Sequence, residues 1–276
     1  MTGCGPASGD SEEARSALPL ALAGVALLPL LALGFVTRFG LPVLDAVFLA
    51  LLLELMPVLA VAQIPLARSA PLERMPAYLG SAVTILVLGS VALGLGLRAG
   101  GGAGLGLDPF PPAGSLLVWT AGVTLSVGIL VGVFHVAGRL LDLDETSLLL
   151  ALIPRTRRER LAFVGLSVAA GLGEEITFRG YAIPTLAPFV GGEWPAAVLT
   201  CLSFGVLHAY QGPVGMVRTF FLGFLLAASF LILGTLWPAI IAHILVDLVG
   251  GLWLGPWLVR ARDRPGENPP PGEAPG

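Results

Sequence analysis

Six ionisable side chains fall inside apolar stretches of this chain at spacings that suit chemistry. Glu174, Glu175 and Arg179 lie in GLGEEITFRGY, His208 closes FGVLH, and His243 and Asp247 bracket HILVD. Glu175 and Arg179 are four residues apart, so on a helix they share a face and can pair. Glu174 points about 100° away from Glu175 on the same helix. It is left as a carboxylate with no partner of its own. His243 and Asp247 repeat the four-residue spacing, and so do Phe204 and His208.

Those types describe a reaction. A carboxylate set apart from its counter-ion is a suitable general base toward water. Two histidines can bind a divalent metal or donate hydrogen bonds to an oxyanion. Asp247 can orient His243 or serve as a further ligand. Together the parts fit hydrolysis of a carbonyl compound, provided that the elements carrying them converge. A buried ion network that only fixes packing is the competing reading.

The elements are membrane helices. The 276 residues are 55% hydrophobic and only 12% charged, with a mean hydropathy of +0.88. Soluble domains carry about a quarter charged residues. Apolar runs near twenty residues long recur, enough to cross roughly 30 Å of hydrocarbon. The fold class is therefore all-α and polytopic. A β-barrel would alternate over short segments. Eight spans are expected at about 18–37, 43–66, 76–97, 114–137, 161–180, 194–210, 214–233 and 236–256. The first follows an acidic tail and is too long for the apolar region of a signal peptide.

Arginine alone carries the orientation signal, since the chain has no lysine. With eight spans, most arginines, including Arg68, Arg74, Arg155, Arg157, Arg158, Arg160 and Arg218, fall on one side. Arg38 and Arg98 fall on the other. The positive-inside rule then puts both termini in the cytosol of a cell whose plasma membrane holds the protein. The basic rim suits anionic lipid, and nothing suggests nucleic acid.

This divides the chain into a disordered tail (1–17), four N-terminal spans (18–137), a cytosolic or interfacial segment (138–160), four spans carrying the motifs (161–258) and a second disordered tail (259–276). The segment 138–160 has the composition of a short amphipathic interfacial helix followed by a basic anchor. Cys4 and Cys201 make no disulfide framework. The absence of lysine with abundant Ala, Gly, Pro and Arg suggests a GC-rich prokaryotic genome.

Three other polar residues lie in spans. Asp45 can serve a helix N-terminus, and His135 can reach the headgroups near Arg139. Glu54, alone in LLLELMP, is expected to be protonated or bonded to a neighbouring helix. A small transporter using Glu54 as a proton site is a third functional reading. It lacks internal repeats.

EEITFRGY, FGVLH and HILVD, in that order, resemble the motifs of the type II CAAX prenyl protease family, also called CPBP or Abi. The resemblance covers roughly residues 145–255. It implies an intramembrane endopeptidase acting on membrane-associated proteins or peptides. Glu174 would activate the attacking water, with Glu175 beside it pairing with Arg179. His208 and His243 would contact the oxyanion or a metal, with Asp247 beside His243. Asp247 stands where eukaryotic members carry asparagine. The cofactor stays open between a divalent metal such as zinc, held by Glu174, His208, His243 and Asp247, and a metal-free glutamate mechanism. The alternative within the family is a non-proteolytic immunity or scaffold protein.

Overall fold

The computed structural model describes residues 8–69, 72–141 and 147–256. Among these the chain is helical, with no strand. Eight helices organise it: α1 (Ser8–Phe39), α2 (Val43–Ala62), α3 (Arg74–Gly104), α4 (Ala113–Leu140), α5 (Arg157–Val190), α6 (Glu193–Leu207), α7 (Gly212–Leu233) and α8 (Trp237–Leu254). The first helix begins at Ser8, so residues 8–17, expected as tail, are helical. Residues 1–7 and the tail expected at 259–276 lie outside the described residues.

Large apolar side chains point outward all along these helices. Leu117, Val118, Leu125 and Ile129 on α4 are all exposed, as are Leu22, Leu30 and Leu33 on α1. This is the pattern of a chain whose solvent is lipid.

Seven of the eight helices are long and apolar enough to cross a membrane. The exception is a shorter apolar helix, α6. Helix α6 has 15 residues, or about 22 Å at 1.5 Å per residue. Its start is set by glycine: Gly191 and Gly192 before it both have positive φ. His208 itself leaves the helix and opens a 3₁₀ turn, Ala209–Gln211.

Helix α5 is longer than the expected 161–180. It starts at Arg157 because Thr156 and Glu159 form a capping box: the Glu159 N–H donates to Thr156 Oγ1 at 3.2 Å, and the Thr156 N–H to Glu159 Oε2 at 2.9 Å. It runs on to Val190 because the segment Glu175–Ala182 widens into a π-helix instead of ending. A short helix, Ser147–Ala151, occupies part of the expected interfacial segment.

Small residues let α5 sit centrally. A Cβ on Gly89 of α3 would lie 2.7 Å from the Cα of Gly173. The two backbones touch there, as membrane helices do through glycine. The larger apolar core joins α2, α5 and α6 through Phe48, Leu49, Leu52, Tyr181, Ile183, Ala196 and Phe204. A smaller one joins α4, α7 and α8 through Val123, Val127, Leu226, Ala239 and Ala242.

Polar ties cross between helices. Asp45, expected to serve only its own helix end, is buried, pairs with Arg98 of α3 and accepts a 3.0 Å hydrogen bond from Tyr181 Oη. Ser203 Oγ donates to the Leu52 carbonyl at 2.6 Å. Glu54 stands in a π-helical turn, Leu51–Leu55, and both its carboxylate oxygens are shielded without a hydrogen-bond partner. Of the two expectations for it, the bond to a neighbouring helix is not made among the described residues.

Candidate active site

The π-segment starts where the chemistry does. Helix α5 is regular up to Glu174 and widens from Glu175 onward. Such single-turn expansions are frequent at functional sites because they re-aim side chains within an otherwise rigid rod. Here the two adjacent glutamates enter different surroundings.

Glu175 is sealed. Its side chain has no exposed area, and its Oε1 accepts two hydrogen bonds, from Arg179 Nη1 at 3.1 Å and from His243 Nδ1 at 2.8 Å. Arg179 is sealed as well. Its Nη2 donates to the Gly223 carbonyl of α7 at 2.9 Å, and its guanidinium lies 4.6 Å from the centroid of the Phe204 ring on α6. One arginine thus ties together α5, α6 and α7. Gly223 is required by this approach, since a Cβ there would lie 2.9 Å from Arg179 Nη2.

Glu174 keeps access. Its side chain is 16% exposed, and its Oε2 lies 3.8 Å from His243 Nε2. Asp247 Oδ2 lies 3.9 Å from the same nitrogen. Both spacings exceed a direct hydrogen bond, and a water molecule beside each pair can bridge it. His243 therefore has one nitrogen held by the sealed glutamate and the other turned toward two carboxylates.

Phe204 supports His208 as well as Arg179. Its carbonyl oxygen is 2.8 Å from His208 Nδ1, and the two rings lie 4.8 Å apart. A carbonyl only accepts, so Nδ1 carries a proton and donates. In neutral His208 the other nitrogen, Nε2, is then a lone-pair acceptor. His208 so arranged can accept from a water or a ligand at Nε2.

The structure thus joins Glu174, Glu175, Arg179, His243 and Asp247 in one cluster. It attaches His208 through Phe204. Among the described residues, no group of three or more His, Cys, Asp and Glu side chains is arranged to hold a metal ion. No step of the reaction proposed for the site is routed through a metal.

Residues that the sequence reading passed over stand next to this cluster. Tyr210 lies in the 3₁₀ turn that follows His208, with its ring 5.9 Å from the imidazole. Gln211 Nε2 donates to Tyr210 Oη at 3.1 Å, and Gln211 Oε1 accepts from Arg218 Nη2 at 3.0 Å. A tyrosine and a glutamine two and three residues after His208 were the available signal.

Residues 156–249, about a third of the chain, match the family model described as type II CAAX prenyl endopeptidase Rce1-like. This segment resembles a CAAX-type intramembrane protease. The resemblance to the CPBP family expected from the motifs holds across α5 to α8, which carry every residue of the cluster. No curated protein and no solved structure matches the chain.

Proposed function

We propose that the chain is an intramembrane endopeptidase in which Glu174 activates water for attack on a peptide bond. The observation that carries this reading is the division of labour between adjacent carboxylates. Oε1 of Glu175 is taken by Arg179 and His243, whereas Glu174 accepts no hydrogen bond among the described residues and its side chain is 16% exposed. A purely structural network has no use for the second, uncommitted acid, since a buried charge without partners costs stability.

In the proposed reaction water adds to the scissile carbonyl carbon and Glu174 takes its proton. His208 Nε2 accepts from the same water and holds it. His243, fixed by Glu175, presents Nε2 to the developing tetrahedral centre, with Asp247 beside it. The carbon–nitrogen bond then breaks, and the amine leaves with the proton that Glu174 returns. The substrate is a membrane-associated protein or peptide. The protein sits in the plasma membrane with both termini in the cytosol, in keeping with the placement of the arginines.

The test is cleavage in proteoliposomes of a farnesylated peptide carrying a fluorophore and a quencher on either side of the bond after the modified cysteine. Glu174→Gln is expected to abolish turnover while leaving the melting temperature within a degree or two of the parent. Loss of the fold in Glu174→Gln, together with no turnover by the parent protein, would instead support a packing role.

A further inference from the structure

The densest positive charge in the chain, RTRRER at residues 155–160, lies at the start of α5, with Arg158 roughly 24 Å along the helix from Glu174. Helix α3 starts beside it. Arg74 and Tyr78, four apart on α3, meet Glu159 and Phe163, four apart on α5. The Tyr78 and Phe163 rings pack edge to face at 5.7 Å. Above them the seam is short of negative charge. Glu159 uses its Oε2 to accept from the N–H groups of Arg155 and Thr156, at 2.7 and 2.9 Å. Its Oε1 stands 3.9 Å from Arg74 Nη1, beyond hydrogen-bond distance. Arg74 Nε is shielded and has no partner among the described residues. Arg157, Arg158 and Arg160 are exposed and make no ion pair among the described residues.

Apolar surface adjoins these charges. Leu161 follows Arg157 by four residues and Arg158 by three, so the three share a face of α5. Leu161 is 67% exposed, and Val168, two turns further along that face, points outward too. Helix α5 is long and apolar enough to cross a membrane. Its outer face therefore offers charge at the level of headgroups and hydrocarbon directly beneath. A soluble phosphate or an acidic peptide would use the arginines alone. A phospholipid uses both parts, and an anionic one is drawn to clustered arginine at a membrane surface. The planar guanidinium fork also matches phosphate oxygens in pairs.

We propose that Arg157, Arg158 and Arg160, with Arg74 beside them, bind the headgroup phosphate of an anionic phospholipid whose acyl chain lies along Leu161 and Val168. The site is separate from the cluster around Glu174 and stands whether or not the chain cleaves peptides. The headgroup supplies the negative charge that the α3–α5 seam is short of. A lipid bound there braces two helix starts, and a ligand that binds only the folded state stabilises it.

The experiment uses the full chain in a neutral detergent, with dioleoylphosphatidylglycerol as the probe. Dioleoylphosphatidylcholine, glycerol 1-phosphate and a hexaglutamate peptide are the comparisons. Native mass spectrometry reads binding, and thermal unfolding reads its effect. Phosphatidylglycerol is expected to stay bound and to raise the melting temperature by several degrees, and phosphatidylcholine to do neither. In the triple variant Arg157→Gln, Arg158→Gln, Arg160→Gln the affinity for phosphatidylglycerol should fall on the order of a hundredfold, about fivefold for each arginine removed. Without lipid the triple variant should melt within a degree or two of the parent. Leu161→Asn keeps every charge and should still weaken phosphatidylglycerol binding. Equal binding of the two phospholipids, or undiminished phosphatidylglycerol binding by the triple variant, overturns the proposal. Glycerol phosphate or the peptide matching phosphatidylglycerol also overturns it, by giving the arginines to a soluble anion or to a protein partner.

Discussion

The guanidinium of Arg179 lies 4.6 Å from the centroid of the Phe204 ring, and the carbonyl of the same phenylalanine holds His208. Phe204 thus connects the first motif to the second through both its side chain and its backbone. The third motif joins through Glu175, whose Oε1 is shared by Arg179 and His243. Three short sequence patterns are in this way one continuous polar assembly inside an apolar body.

Removing the arginine should be severe. In Arg179→Met the fully enclosed Glu175 keeps only His243. Breaking one side of a buried pair costs about 3–5 kcal/mol. Thermal unfolding in detergent should register this as a large drop in melting temperature, and the double variant Glu175→Gln with Arg179→Met should recover part of it. An unchanged melting temperature in the single variant would mean that the pair contributes nothing.

Phe204→Leu removes the ring and keeps the backbone carbonyl. A desolvated cation–π contact is worth up to about 2 kcal/mol, so stability should fall by an amount of that order. Phe204→Tyr, which retains a ring face, should fall less. Equal losses for leucine and tyrosine would show that the ring face over Arg179 contributes nothing at this position.

The adjacent glutamates should separate cleanly by assay. Glu174→Gln is expected to lose turnover and keep stability. Glu175→Gln is expected to lose stability by about 1–3 kcal/mol, as for a buried hydrogen-bond network deprived of its acceptor charge. Any turnover that Glu175→Gln retains should be measured per folded molecule. A reversed pattern would assign the base to Glu175.

Gly173→Ala tests the approach of α3 to α5. The new methyl would lie 2.6 Å from Ile85 Cγ2 and 2.8 Å from the Ile85 carbonyl oxygen. A side chain can yield but the carbonyl cannot, so a loss of about 1–3 kcal/mol is expected. Ile85→Ala in the same chain should not restore it. Because Gly173 precedes Glu174, turnover per folded molecule should fall as well.

Glu54→Met should move stability in the opposite direction. Both carboxylate oxygens of Glu54 are shielded and unpartnered. Replacing a buried unsatisfied polar group with an apolar one of similar volume removes a desolvation penalty of about 1–3 kcal/mol. A higher melting temperature with unaltered cleavage is the expected outcome. A loss of cleavage would instead bring Glu54 into the working machinery.

Much of this was legible beforehand because the bilayer imposes few choices. Long apolar runs must be helices, and a charged group among them needs a partner, so the spans and the polar residues 174–179, 208 and 243–247 could be read directly. What escaped depends on contacts between helices far apart in the chain. Asp45 looked sufficient at its own helix end, yet Arg98 and Tyr181, 53 and 136 residues away, are its partners. The widening at Glu175–Ala182 leaves no mark in composition, because its residues would suit an ordinary helix. Tyr210 owes its place to a 3₁₀ turn that the expected span 194–210 treated as helix.

The shortness of Glu193–Leu207 has a consequence for the surrounding lipid. At about 22 Å it falls roughly 8 Å below the usual hydrocarbon thickness. Such hydrophobic mismatch is relieved by local thinning of the bilayer or by polar groups drawn inward. His208, Tyr210 and Gln211 stand where that helix stops. The leaflet there should be dimpled, bringing the aqueous phase and the end of a membrane-anchored polypeptide closer to Glu174 than a flat slab would allow.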